Sequence, residues 1–378
     1  VQHLRVGFFT EVYRPVVNGV VASVDALAEG LRAKGHEVYC FTPKVPGYEE
    51  ADGPVFRMPS LPLPDTPYRL TLPLVRRRNV QGVIKRLSII HAHSPFITGW
   101  MGLRYARRYN IPFVYTYHTK LEEYAHYVPF DETATRMAAE TLTRTFADMT
   151  DAVVVPTLAM GQRLRELGVE ARIEIIPTGI DLLKFGGGKR DARLRERVGA
   201  GGRRMLFFVS RLAREKNVDL LIAALAHSAP DLHLVIGGDG PERDALIGLA
   251  AAEGVADRTT FLGAVERDAL PDLYASSDAF VFPSTTETQG LVLAEALAAG
   301  ALVIAADAPT NRDVLGGAGK VLASTVEAFA RAFDEVPAEP DAAEAERARR
   351  SAGRFSIAAQ TERMLALYRS LWDPIAHD

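Results

Sequence analysis

Two glutamates, Glu287 and Glu295, are separated by seven residues in the run Glu287-Thr288-Gln289-Gly290-Leu291-Val292-Leu293-Ala294-Glu295. The run follows the strand-like stretch Ala279 to Phe282, so it falls at the carboxyl end of a strand, where open parallel sheets bind ligands. Glycine at the start of the next helix lets exposed amides approach an anionic group, a diphosphate being the natural guest. Carboxylates accept paired hydroxyl hydrogen bonds well, so Glu287 in the loop suits sugar hydroxyls and Glu295 in the helix suits a ribose diol. A solvated loop acid and a surface helix acid are the plainer alternative.

A second element sharpens the choice. Val209-Ser210-Arg211-Leu212-Ala213-Arg214-Glu215-Lys216 follows the strand Met205 to Val209, which brings Arg211 and Lys216 to the same sheet edge. Two cations there could neutralise a departing diphosphate, or form an ordinary basic loop paired with Glu215. Gly237-Gly238-Asp239-Gly240-Pro241 also sits between strand and helix and permits close backbone approach, as ligand site or simple tight turn. It lacks the full Gly-x-Gly-x-x-Gly pattern, which counts against a dinucleotide-dependent oxidoreductase.

In the first half, Asn18-Gly19-Val20 forms another amide-rich corner before a helix. His91-Ala92-His93 and Tyr117-His118-Thr119 stand at strand ends. His91 and His93 share a strand face and could be metal ligands, but no nearby cysteine or carboxylate completes a set, and no metal is expected. His118 is expected to point into the space between domains and touch a transferred sugar; the alternative is a packed structural histidine.

The elements that must position these residues alternate short β-branched runs with helix-period segments, the pattern of parallel sheets covered by helices. The expected fold class is α/β, with two facing Rossmann-like domains and a cleft between them. First-half strands are expected at Leu4–Phe9, Glu37–Thr42, Ile89–Ala92, Phe113–Thr116, Ala152–Val155 and Ile173–Ile176. Second-half strands are expected at Met205–Val209, Leu232–Ile236, Thr260–Leu262, Ala279–Phe282 and Leu302–Ala305. Val20, Val24, Leu27 and Leu31 form one helical stripe ending before Gly35. A linker is expected in Pro177 to Lys189, which contains the triple glycine Gly186 to Gly188. The domains are thus 1–180, 181–354 and a terminal helix, 355–378, that crosses back to the first. Met364, Leu367, Tyr368 and Leu371 share its docking face. The acidic, alanine-rich Val326 to Arg350 reads as two exposed helices.

Composition bounds the rest. At 378 residues and 48% hydrophobic the chain can fill two cores, and a formal net charge of −3 gives no reason to expect nucleic acid. Cys40 is the single cysteine, which excludes an internal disulfide framework and fits a reducing compartment. No apolar run approaches the roughly 20 residues of a membrane span, and no signal-peptide pattern opens the given residues. The expectation is a cytoplasmic protein, any membrane contact of which must be peripheral.

Taken together, Asn18-Gly19-Val20, His118, Arg211 with Lys216, Gly237 to Pro241 and the Glu287/Glu295 pair resemble, in the same order, the retaining glycosyltransferases of family 4, whose fold is GT-B. The resemblance implies that Arg211 and Lys216 bind the donor diphosphate and that Gly290, Leu291 and Val292 supply amides. Glu295 would hold the ribose, and Glu287 and His118 the sugar; Gly19, Gly238, Asp239 and Gly240 would line the donor site. It implies metal-free catalysis, no required cofactor, and a departing phosphate oxygen that takes the acceptor proton with retention. Pro309-Thr310-Asn311-Arg312-Asp313 departs from the usual late-loop pattern, which leaves specificity open.

His91 to Phe96, Tyr115 to Thr119, Glu123-Tyr124, His126-Tyr127 and Gln289 are similar to the diacylglycerol glucosyltransferase branch. That likeness implies UDP-glucose as donor and a lipid acceptor near Tyr117, Glu123 and Tyr124. Leu70, Leu72, Leu74 and Val75 beside Arg76, Arg77, Arg78, Lys85 and Arg86 suit an anionic membrane surface, and Arg104, Arg107 and Arg108 could extend the patch. The alternative for this segment is a solvated helix face. Alternatives for function are a GDP-mannose-dependent mannosyltransferase, a transferase with a soluble acceptor, and, in another class, a sugar-nucleotide epimerase.

Overall fold

The computed structural model describes residues 3–48, 54–63, 68–73, 78–123 and 131–372. The chain forms two compact units, Val1–Gly179 with Ile357–Asp378, and Ile180–Ser356.

The first unit is built on strands β1 (Arg5–Phe9), β2 (Glu37–Pro43) and β3 (Val55–Met58), the hairpin β4 (Ser60–Pro62) and β5 (Arg69–Thr71), then β6 (Ile89–Ala92), β7 (Phe113–Thr116), β8 (Ala152–Val155) and β9 (Ile173–Ile175). Seven of them make one parallel sheet in the order β3-β2-β1-β6-β7-β8-β9. Each of β6, β7 and β8 is buried along its whole length, as expected of strands covered on both faces. β3, β4 and β5 were not foreseen; they are short and half exposed, so no continuous apolar run marks them.

Helix Gly19–Ala33 is capped by the Asn18 side chain, which accepts from the Val21 amide at 3.0 Å. It buries Val24, Leu27 and Leu31, while Val20 is only partly covered. Against it packs helix Ile357–Leu371 through Met364, Leu367 and Tyr368, so the last helix belongs to the first unit.

The second unit carries β10 (Arg204–Val209), β11 (Leu232–Gly237), β12 (Thr259–Gly263), β13 (Ala279–Phe282), β14 (Val303–Ala306) and β15 (Lys320–Leu322) in a parallel sheet ordered β12-β11-β10-β13-β14-β15. Both sheets run outward from their first strand and then reverse, the doubly wound pattern.

One expectation needs correction. Val326–Asp334 and Ala342–Ala352 are not exposed helices: the first buries Phe329 and Phe333, the second Ala345, Ala348 and Ala352, and only their charged faces meet solvent. The change of unit falls between Gly179 and Ile180, inside the segment Pro177 to Lys189, where Asp181 caps a short helix, Leu182–Gly186, whose Phe185 is buried. Within Tyr68 to Leu87, Leu70, Lys85 and Arg86 are exposed and Leu72 is partly covered, while Thr71, Val80, Ile84 and Leu87 are buried. Arg78 opens helix Arg78–Ile84, whereas Leu74, Val75, Arg76 and Arg77 lie outside the described residues.

Candidate active site

In the second unit the strand order reverses between β10 and β13, which pair directly. The loops leaving their carboxyl ends therefore emerge side by side, the place where such sheets hold ligands. From the β10 loop comes Lys216 and from the β13 loop Glu287, and Lys216 Nζ lies 2.5 Å from Glu287 Oε1. The Ser284 hydroxyl donates to the same oxygen at 2.9 Å. Arg211 is exposed, and among the described residues no carboxylate forms an ion pair with it.

The β13 loop is fixed from behind. Asn311, fully buried, donates from Nδ2 to the carbonyls of Ser284 and Ala306, both at 2.9 Å, and the Thr310 hydroxyl donates to the Glu287 carbonyl at 3.0 Å. Both residues sit in the Pro309–Leu315 helix, in the segment that departs from the family pattern. Sequence reasoning missed their role, because a carbonyl partner more than twenty residues away leaves no local signature.

Gly290 stands at φ 69°, a left-handed conformation costly for other residues, and opens helix Leu291–Ala299. That helix start has no side-chain cap and no acid in its first turn, so its leading amides and the positive end of its dipole are open to an anion. Gln289 beside it is buried. Glu295, one turn on, is only 2% exposed; Arg267 donates to Oε1 at 2.9 Å and the Tyr274 hydroxyl to Oε2 at 3.1 Å. Burial raises the Glu295 carboxyl above its usual range, with Arg267 and Tyr274 pulling the other way. It is therefore not a solvated surface acid.

The glycine turn has an internal reason for its composition. A Cβ on Gly238 would stand 1.8 Å from the Ser210 carbonyl, and the Leu212 amide donates to the Asp239 carbonyl at 2.9 Å, so this turn packs backbone to backbone against the loop that carries Arg211. Asp239 itself is exposed and Gly240 partly so.

In the first unit the three histidines come together. His91 and His93 stack with ring centroids 4.3 Å apart, and His93 Nδ1 lies 3.0 Å from His118 Nε2. His91 is held by the Thr116 hydroxyl and the Tyr368 hydroxyl, each at 2.6 Å. Burial pushes all three imidazoles down, His118 to about 4; His118 further depresses His91, and His91 and His118 further depress His93. Among the described residues no group of three or more histidine, cysteine, aspartate or glutamate side chains could hold a metal ion. Tyr117 is a correction: it is fully buried, its hydroxyl 3.5 Å from the buried carboxylate of Glu122, so it stands in the core and not on an acceptor surface. Glu123 is partly buried, Gly19 is exposed at its helix start, and Tyr124, His126 and Tyr127 lie outside the described residues.

The patterns of two families cover most of the chain: Glycosyltransferase Family 4 over residues 17–183 and Glycosyl transferases group 1 over residues 191–354. An alpha-monoglucosyldiacylglycerol synthase of Acholeplasma laidlawii is 33% identical over 80% of this chain and 80% of its own length. This chain belongs to glycosyltransferase family 4. A GDP-mannose-dependent alpha-mannosyltransferase of Mycobacterium tuberculosis is 34% identical over 82% of this chain and 81% of its own. Among solved structures, that of Anabaena HepE in complex with UDP superposes with a TM-score of 0.77 at 20% identity, covering 97% of this chain and all of that one. The fold of this family 4 glycosyltransferase is GT-B, and enzymes of this kind draw on nucleotide-sugar donors. Among its described residues no helix is long and apolar enough to cross a membrane.

Proposed function

We propose that this glycosyltransferase moves glucose from UDP-glucose to a membrane lipid acceptor, diacylglycerol or a glycolipid, with retention at the anomeric carbon. The observation that carries the transfer chemistry is the 2.5 Å contact between Lys216 and Glu287 beside the uncapped start of helix Leu291–Ala299. A cation and open amides suit the diphosphate, and a carboxylate next to them suits the sugar it bears. In this reading Lys216, Arg211 and the amides of Gly290, Leu291 and Val292 hold the diphosphate, and Glu295 holds the ribose. Glu287 and His118 hold the sugar. The acceptor oxygen bonds to the anomeric carbon as the carbon–oxygen bond to the diphosphate breaks, and the acceptor proton passes to the departing phosphate oxygen. Lys216 and Arg211 stabilise the charge that builds there.

The lipid acceptor is supported by the likeness to the Acholeplasma synthase. A peripheral site on the inner face of the cytoplasmic membrane fits the cations Arg104, Arg107 and Arg108, exposed on helix Ile97–Tyr109. Lys85 and Arg108 both approach the Tyr109 ring, each 5.7 Å from its centre, so cations from two elements share this face.

The 34% identity to the mannosyltransferase favours a second reading, GDP-mannose as donor. Nucleotide release from a panel of UDP- and GDP-sugars, with and without diacylglycerol in anionic vesicles, separates them. UDP released from UDP-glucose only when lipid is present, with glucose recovered on the lipid, is the expected result. GDP release from GDP-mannose selects the second reading, and release indifferent to lipid overturns the lipid acceptor.

A further inference from the structure

The histidine cluster holds a group that the transfer chemistry does not use. His93 is 3% exposed, and its Nε2 is buried with no hydrogen-bond partner, while its Nδ1 meets His118 Nε2 at 3.0 Å. His91 stacks on one side of it, and the Phe8 ring meets it at 4.7 Å in a T-shaped contact, so its surroundings are aromatic. Two neutral tautomers of His93 are available. With the proton on Nε2, a buried N–H has no acceptor; with the proton on Nδ1, that N–H is used and only a bare ring nitrogen is left over. Orphaned buried N–H groups are the rarer and costlier case.

We propose that His93 is a positioning residue that donates from Nδ1 to His118 Nε2 and so fixes His118 as the tautomer carrying its proton on Nδ1. In this tautomer Nδ1 of His118 is a donor, so a sugar hydroxyl that meets it does so through the oxygen lone pair and cannot give its proton there. The functional half of the inference rests on the reading of His118 as a sugar contact; the tautomer itself does not. The depressed basicity of all three rings agrees with a cluster that stays neutral at working pH.

The test is long-range proton–nitrogen correlation NMR on the 15N-histidine-labelled chain near pH 7, with two variants. His118 is expected to show a bare Nε2 and a protonated Nδ1. His93→Asn, whose amide can donate from about the position of Nδ1, should keep that pattern; His93→Phe should lose it, with His118 shifting to the Nε2 proton. Donor KM should rise about tenfold in His93→Phe and recover in His93→Asn. A wild-type spectrum with the proton on His118 Nε2 overturns the proposal whether or not either variant folds. A tautomer that shifts in His93→Phe without a change in KM or kcat leaves the tautomer assignment intact and overturns the sugar contact of His118.

Discussion

The Tyr368 hydroxyl meets His91 Nδ1 at 2.6 Å, joining two buried residues 277 positions apart in the chain. One lies on the central strand β6 and the other on the terminal helix, so a single hydrogen bond pins that helix to the sheet carrying the histidine cluster. Tyr368→Phe keeps the ring and its packing but leaves a buried ring nitrogen without its partner. A loss of about 1–3 kcal/mol in unfolding free energy is expected. Urea titration followed by tryptophan fluorescence checks it, since both tryptophans, Trp100 and Trp372, lie in the first unit; an unchanged midpoint would mean the hydroxyl contributes nothing.

Lys216 and Glu287 touch each other but are assigned different partners, so their variants should separate. Glu287→Ala should abolish transfer, by about a hundredfold or more, while free nucleotide still binds with nearly wild-type affinity. Lys216→Ala should weaken nucleotide binding itself by roughly 1.5–3 kcal/mol, the worth of a charge-assisted hydrogen bond. Calorimetry with the free nucleotide and turnover with the full donor distinguish the two; equal loss of nucleotide affinity in both would undo the assignment.

Asn311 contacts no predicted ligand, yet two of its hydrogen bonds set the path of the β13 loop. Asn311→Ala is expected to cost about 1–3 kcal/mol of stability in the second unit and to lower kcat/KM roughly tenfold by loosening Glu287. A variant that is destabilised but turns over normally would show that the loop does not need this brace.

Acid should weaken the first unit. Histidines titrate near 6.5 in an unfolded chain, whereas burial holds His118 at about 4 and His91 and His93 well below the ordinary value. Between those values the unfolded chain binds more protons, so stability is full above pH 6.5 and falls as pH drops toward 4. In the second unit His233, lowered to about 4 by burial and by Arg203, acts in the same direction, while Glu295, raised by burial, opposes it. Tryptophan-monitored urea midpoints at pH 7.5 and 5 should therefore drop clearly. A flat profile would mean the cluster is hydrated and titrates normally.

The sheet framework was legible because its central strands announce themselves: Ile89–Ala92, Phe113–Thr116 and Ala279–Phe282 are uninterrupted buried runs, and their bounds were read as observed. Edge pieces were not. Lys320–Leu322 and Arg69–Thr71 are three residues long and only partly buried, so neither period nor apolarity separates them from loop. At the candidate site, Glu287 and Lys216 stand out in the sequence because charged residues after strand ends carry their own chemistry, and the structure brings the two into contact. The brace from Asn311, the Arg267 and Tyr274 clamp on Glu295, and the clasp of Tyr368 on His91 depend on contacts across long stretches of chain, for which one sequence offers no pattern.

Because helix Ile357–Leu371 completes the first unit, that unit cannot mature in the order in which it leaves the ribosome. Residues 180–356 must be made before its last piece exists, a wait of roughly 9–35 s at about 5–20 residues per second. Throughout that interval the Gly30 side of helix Gly19–Ala33, where an added Cβ would stand 1.9 Å from the Thr361 hydroxyl oxygen, faces water or a chaperone, and the second unit, contiguous in the chain, is free to fold first.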